Sequence, residues 1–204
     1  MPKITRIVNQ IQHPDRYSVF VDDKYSFALS ANDLLAAGLH GGQEVTQEEL
    51  NQIEQLAGSS KAYDQALNFL NLRQRSEKEV ADYLKRKSIY ADEVIAQTIS
   101  RLRSNRFLDD AEFARAWIAD RQNLKPRSKR QLEVELRQKG VSPQTIEIAL
   151  LVSDQDSEIE TAKQIAQKKL SRYPDQLKLI AYLMRQGFTY EVVKKALKEL
   201  ETKD

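Results

Sequence analysis

The sequence predicts a mainly α-helical protein, with three tandem three-helix repeats forming an elongated, curved body behind a small N-terminal unit that contains a β-hairpin. Three observations lead there. Gly and Pro number 6 and 5 in 204 residues, about half their usual share and too few for the many turns of an all-β chain. From residue 61 onward, apolar residues recur at helical spacing and no convincing strand remains. Three segments of that region superimpose on one another, which marks an internal repeat.

The first 58 residues differ in kind from the rest. They carry 4 basic and 8 acidic side chains, whereas the whole chain is nearly balanced at 32 against 30. Ile4–Ile11 reads as an irregular strand. Tyr17–Val21 and Tyr25–Leu29 are short runs rich in β-branched and aromatic residues, and Asp22-Asp23-Lys24 between them suggests a hairpin with a three-residue loop. Ser30 with Asp33 opens a short helix that Gly38 can close in the left-handed conformation. Thr46-Gln47-Glu48-Glu49 is a capping box ahead of Leu50, Ile53 and Leu56. Gly58-Ser59-Ser60 reads as a linker, so residues 1–58 form one unit, expected to be dispensable for the fold of 61–204.

The repeats follow as 61–110, 111–153 and 154–204. In each, a middle helix carries an equivalent leucine, Leu84, Leu136 or Leu183, at spacings of 52 and 47 residues. Two of these helices end at a glycine suited to a left-handed cap, Gly140 and Gly187, with Ser88 as the departure. Ile89, Val141 or Phe188 comes next, and then a new helix start at Asp92, Ser142-Pro143 or Thr189. Pro143 fits a first helical position, where its missing N–H costs nothing. A leading amphipathic helix completes each unit, with stripes at Ala66, Leu67 and Leu70, at Phe113, Ala114, Trp117 and Ile118, and at Ile159, Ala162, Ile165, Ala166 and Leu170. One such unit buries a marginal core, and stacking in tandem lets neighbours support each other.

The chemistry available is narrow. The chain has no cysteine and 2 histidines, which removes disulfides, thiolate metal sites and Cys nucleophiles. His13 and His40 fall in expected turns with no role assigned. No Gly-rich phosphate loop or Ser–His–Asp arrangement is present. No catalytic, cofactor-binding or metal-ligating residue is therefore expected, nor a small-molecule substrate. No apolar run approaches the ~18 residues of a membrane span, and the expectation is a soluble, cytoplasmic monomer.

The most basic stretch runs from 121 to 139. Arg121, Lys125, Arg127, Lys129, Arg130, Arg137 and Lys139 face only Glu133 and Glu135 there. Pro126 places Arg127–Arg130 near a helix start, where cations oppose the helix dipole unless an anion is nearby. These residues are candidates for contact with phosphate or an acidic protein surface, against the plainer reading of a solvated helix start. Nothing aromatic interleaves them in sequence, so base stacking is not supported. The helix pairs resemble helix-turn-helix units, but their second helices lack the basic residues that major-groove reading needs. In Phe107-Leu108-Asp109-Asp110-Ala111-Glu112-Phe113-Ala114, one Asp is expected to cap the helix and the other to favour its positive end. Trp117, on the stripe of Phe113 and Ala114, is expected in the core.

The segment Arg106–Arg121 resembles the central motif of the RecX family, bacterial regulators of the RecA recombinase: an aromatic-Leu-Asp-Asp, then Phe-Ala, then an aromatic and a closing Arg. Ala66–Leu70 with Arg73-Gln74-Arg75-Ser76 is similar to the family's first repeat, and Leu136–Val141 to its second. The head and three repeats look like its longer, Gram-positive members. Arg106 departs from the family's frequent Gly, which implies a loop that need not be left-handed. The resemblance implies a non-catalytic regulator that binds RecA and the RecA–DNA filament and damps its ATPase and strand exchange. Weak direct contact with DNA would be salt-sensitive. A stand-alone DNA-binding module and a generic helical scaffold remain the alternatives.

Overall fold

The computed structural model describes residues 1–87, 89–152 and 155–201, with the side chains of 155–157 outside the described set. Ser88 and the expected boundary after residue 153 lie outside the described residues. Two compact units emerge: Met1–Arg75 with Val80–Leu108, and Ser76–Glu79 with Asp109–Asp204.

The first unit opens with β1 (Ile4–Gln10), β2 (His13–Val21) and β3 (Lys24–Ser30), an antiparallel sheet in chain order. The register shifts at Ile4/Arg6 and Asn9/Gln10, so β1 is irregular as expected. His13 opens β2 instead of lying in a turn. The hairpin loop is two residues long, not three, because Lys24 already pairs with Val21. Asp22 and Asp23 both take positive φ (48° and 60°), the backbone of a type I′ turn that matches strand twist. The Asp22 carboxylate accepts from Lys3 N at 3.0 Å, and Thr5 Oγ1 accepts from Asp23 N at 3.1 Å. β1 thus holds the turn in place.

Ser30 caps α1 (Ala31–Ala36), and Gly38 at φ 61° closes it. The capping box at Thr46 and Glu49 opens α2 (Gln47–Leu70), a continuous helix of 24 residues. The expected linker is therefore corrected: Gly58-Ser59-Ser60 lies inside α2. Ser60 is buried and its Oγ accepts from Ser30 N at 3.2 Å. The residues flanking it belong to two hydrophobic clusters. Leu50 and Ala57 pack with the sheet residues Ile4, Val19 and Leu29. Ala62, Tyr63 and Ala66 pack with Val80 and Leu84 of α3 (Glu77–Lys85) and Ile95 and Leu102 of α4 (Asp92–Ser104). Arg16 pairs with Asp64, and Arg101 with Asp33 at 3.6 Å. One helix and two ion pairs thus run across residue 61, where the sequence suggests a boundary.

Arg106 also corrects an expectation. It adopts φ 60°, with Arg106 N donating to Arg103 O and Phe107 N to Leu102 O, both at 2.9 Å. This is the Schellman closure of α4, built on a residue whose Cβ disfavours it.

The second unit holds α5 (Asp110–Leu124), α6 (Lys129–Gln138) and α7 (Pro143–Leu151), then α8 (Gln155–Lys169), α9 (Gln176–Arg185) and α10 (Tyr190–Glu201). The equivalent leucines are all fully buried: Leu84, Leu136 and Leu183 are each 0% exposed. Gly140 and Gly187 close α6 and α9 at φ 83° and 93°.

These glycines do more than cap. A Cβ on Gly140 would lie 2.5 Å from Lys78 Cβ, and one on Gly187 would lie 2.7 Å from Ser128 Oγ. At each closure a buried serine arrives from an adjacent helix start. Ser76 Oγ donates to the Lys139 carbonyl and Ser128 Oγ to the Gln186 carbonyl, both at 2.6 Å. Each serine also accepts from the backbone N–H of its own first turn, Glu79 or Gln131, at 3.2 Å. A carboxylate completes each clasp: Asp110 accepts from Glu77 N at 2.9 Å and Glu158 from Lys129 N at 3.3 Å. The corresponding cap of α9 is Asp175, whose carboxylate accepts from Leu177 N and Lys178 N.

Two predictions follow from this geometry, each read by circular dichroism melting. Gly58→Ala, with nothing within 4 Å of the added Cβ, and Arg106→Gly should each raise stability by about 0.5–1 kcal/mol. A lower midpoint for Gly58→Ala would restore the linker. Gly187→Ala should cost about 2–4 kcal/mol and Ser128→Ala about 1–2 kcal/mol. Their double variant should fall short of the sum, because removing the hydroxyl removes part of the clash. Strict additivity would show that the two groups do not meet.

Candidate functional site

Pro126 ends α5 and holds Lys125 in extended backbone (φ −145°, ψ 77°). Ser128 then caps α6, which places Lys129 and Arg130 in its first turn. The seven cations of 121–139 fall into two sets. Arg121, Arg127, Arg137 and Lys139 are tied down. Arg121 Nε donates to Glu135 Oε2 at 2.8 Å, and Trp117 Nε1 donates to the same oxygen at 2.8 Å. Arg127 Nε stands 3.4 Å from Glu135 Oε1, close enough for charge attraction, yet it makes no hydrogen bond. Arg137 pairs with Glu133 at 2.6 Å and Lys139 with Glu79 at 2.7 Å.

Lys125, Lys129 and Arg130 form the other set. Among the described residues no carboxylate pairs with their side chains. Lys125 and Arg130 are exposed and Lys129 is half-buried.

Trp117 is half-buried instead of lying fully in the core. Arg121 sits 4.2 Å and Lys139 5.1 Å from its ring centroid, with Phe113 beside it at 5.7 Å. An aromatic does interleave the basic stretch in space, contrary to its linear order. Its ring already carries two cations, so it is not an open platform for a base. Burial alone would raise the Glu135 carboxyl. Hydrogen bonds from Arg121 and Trp117 and the charges of Arg121 and Arg127 outweigh that, leaving it below its ordinary value.

A groove of about 510 Å³ lies between α6 and the end of α9. Arg127, Arg130 and Arg185 line it together with Gln131, Val134 and Met184.

Four family models match consecutive parts of the chain: the regulatory protein RecX N-terminal domain over 2–46, and the first, second and third RecX three-helix domains over 62–102, 109–150 and 156–197. Regulatory protein RecX of Bacillus subtilis is 34% identical over 98% of this chain and 78% of its own length. The chain belongs to the RecX family. Regulatory protein RecX of Clostridium botulinum is 31% identical over 98% of this chain and 96% of its own. A crystal structure of regulatory protein RecX superimposes at TM-score 0.84 with 25% identity, covering 97% of this chain and all of that one. RecX from Lactobacillus salivarius gives 0.65 and 27% over 71% of this chain.

Within this RecX-family chain most residues of the central motif pack in hydrophobic clusters or accept hydrogen bonds at helix starts. Phe107 is 54% exposed, while Leu108 is buried among Tyr63, Leu84 and Leu102. Asp109 caps α5 by accepting from Ala111 N and Glu112 N, as expected. Asp110 has a further task, as an acceptor for Glu77 N. Phe113 and Ala114 are buried with Leu132 and Leu136.

Sequence reasoning missed Glu135 as the hub, Glu79 as the partner of Lys139, and Arg185 as a groove residue. For Glu135 a signal existed. The residue before each repeat leucine is Tyr83, Glu135 or Tyr182, and the two tyrosines stack on Phe69 and Tyr173 at 4.2 and 5.0 Å. Glu135 stands where a stacking ring would be and meets an indole N–H instead.

The lowered Glu135 carboxyl contributes stability that is complete above the ordinary glutamate value and is lost as pH falls through its lower, folded value. Glu135→Gln should therefore flatten the acid side of the melting-temperature profile and shift Trp117 fluorescence. An unchanged acid limb would show that the ion pairs contribute nothing there.

Proposed function

We propose that this RecX-family protein binds the RecA recombinase and its nucleoprotein filament and damps ATPase and strand exchange, with no catalysis of its own. The observation that carries this reading is the family match, which extends over the head and all three repeats. Two features of the chain support it. Most of the basic stretch is already neutralised, which suits a DNA-bound protein partner better than naked DNA. Lys125 and Lys129, without an ion-pair partner among the described residues, leave a small cationic patch for filament phosphates. A cytoplasmic location accords with such a partner.

Adding the protein to RecA, single-stranded DNA and ATP should lower ATP hydrolysis and strand exchange at stoichiometric ratios. Unchanged rates across the titration would sink the reading. Lys125→Ala with Lys129→Ala should weaken filament binding several-fold and reduce its salt dependence. Tight, salt-sensitive DNA binding in the absence of RecA would favour a stand-alone DNA-binding module.

A further inference from the structure

We propose that the groove between α6 and the end of α9 is a docking slot for an acidic peptide segment carrying an apolar side chain. This deepens the regulatory reading by naming the chemistry of a partner segment.

Charge is the first argument. Arg127, Arg130 and Arg185 line one concavity, and the only carboxylate among its lining residues is Glu135. That carboxylate is occupied by Trp117, Arg121 and Arg127. Arg130 and Arg185 are exposed and, among the described residues, have no ion-pair partner. Guanidiniums gathered around one cleft repel each other, and an incoming carboxylate relieves that repulsion with a bidentate geometry that arginine favours.

The rest of the lining selects a peptide over a nucleic acid backbone. Val134 is 49% and Met184 46% exposed within the groove. An apolar side chain can cover them, whereas a phosphodiester cannot. Methionine adapts to varied apolar shapes. Gln131 donates through Nε2 to Gln186 Oε1 at 3.1 Å, while its own buried Oε1 accepts nothing. Turning that amide toward the groove would give up the bond from Nε2 to Gln186 and in exchange let Oε1 accept a peptide N–H. A phosphodiester backbone offers acceptors alone. About 510 Å³ accommodates a few side chains, in the usual range for a recognition cleft.

The test uses the full chain and no RecA, so its failure and that of the regulatory reading are distinguishable. A fluorescein-labelled octapeptide of glutamate and leucine is titrated by anisotropy, beside its glutamine-for-glutamate counterpart and an eight-nucleotide thymidine oligomer. The glutamate peptide should bind saturably, and the glutamine peptide about tenfold more weakly. Arg130→Gln with Arg185→Gln should cause a similar loss, and Arg130→Lys with Arg185→Lys an intermediate one, because the charge stays and the bidentate fork goes. Both pairs are exposed, and an unchanged melting curve verifies their folding. Met184→Ser should weaken binding about threefold. Absence of saturable binding, equal affinity for the glutamine peptide, or indifference to the arginine changes would overturn the proposal. Displacement of the peptide by the thymidine oligomer at equal concentration would assign the groove to nucleic acid instead.

Discussion

Two glycines without side-chain atoms let backbone and serine meet at 2.6 Å, and the packing of the second unit depends on that approach. Ser76 and Ser128 each turn a helix N-terminus and a helix C-terminus into mutual partners. The hydroxyl accepts from its own first turn and donates to the carbonyl that closes another helix. A Cβ at Gly187 would press on Ser128 Oγ itself, and one at Gly140 on the Lys78 side chain in the same helix turn as Ser76. An orphaned helix carbonyl in a buried place costs on the order of 1–3 kcal/mol, and the clasp removes that cost at two junctions. The added carboxylates of Asp110 and Glu158 satisfy N–H groups that would otherwise lack acceptors.

The same constraint fixes the chemistry of the surface. Because Ser128 must reach Gln186, Lys129 and Arg130 emerge in the first turn of α6, beside the last turn of α9. Cations at a helix start are held against the dipole, and they remain there because packing, not electrostatics, sets the helix position. Glu135, one turn further on, gathers Arg121, Arg127 and Trp117. A stretch that is strongly basic in linear order therefore presents a few cations without an ion-pair partner among the described residues, next to a settled ion-pair cluster.

Much of this was legible from local chemistry. Ser30, Thr46, Asp109 and Ser142 cap helices because short polar side chains satisfy the first-turn N–H groups, and Leu84, Leu136 and Leu183 repeat because each must fill a core. What escaped was set by distant residues. Gly58-Ser59-Ser60 has the composition of a linker, yet Ala57 and Ala62 pack on either side and Ser30 supplies a donor for Ser60. Arg106 takes a glycine's backbone because the α4 closure, with Leu108 buried just beyond it, outweighs its own preference. The groove joins α6 to Arg185 across 46 or more residues, and no local spacing encodes that meeting.

The cap of the last middle helix carries its own implication. Asp175 satisfies its first turn as the serines do, but an ionised carboxylate has no proton to give a neighbouring carbonyl. The serine clasp made at 76 and 128 therefore has no counterpart at 175: the side chain there serves its own helix and cannot also donate to another.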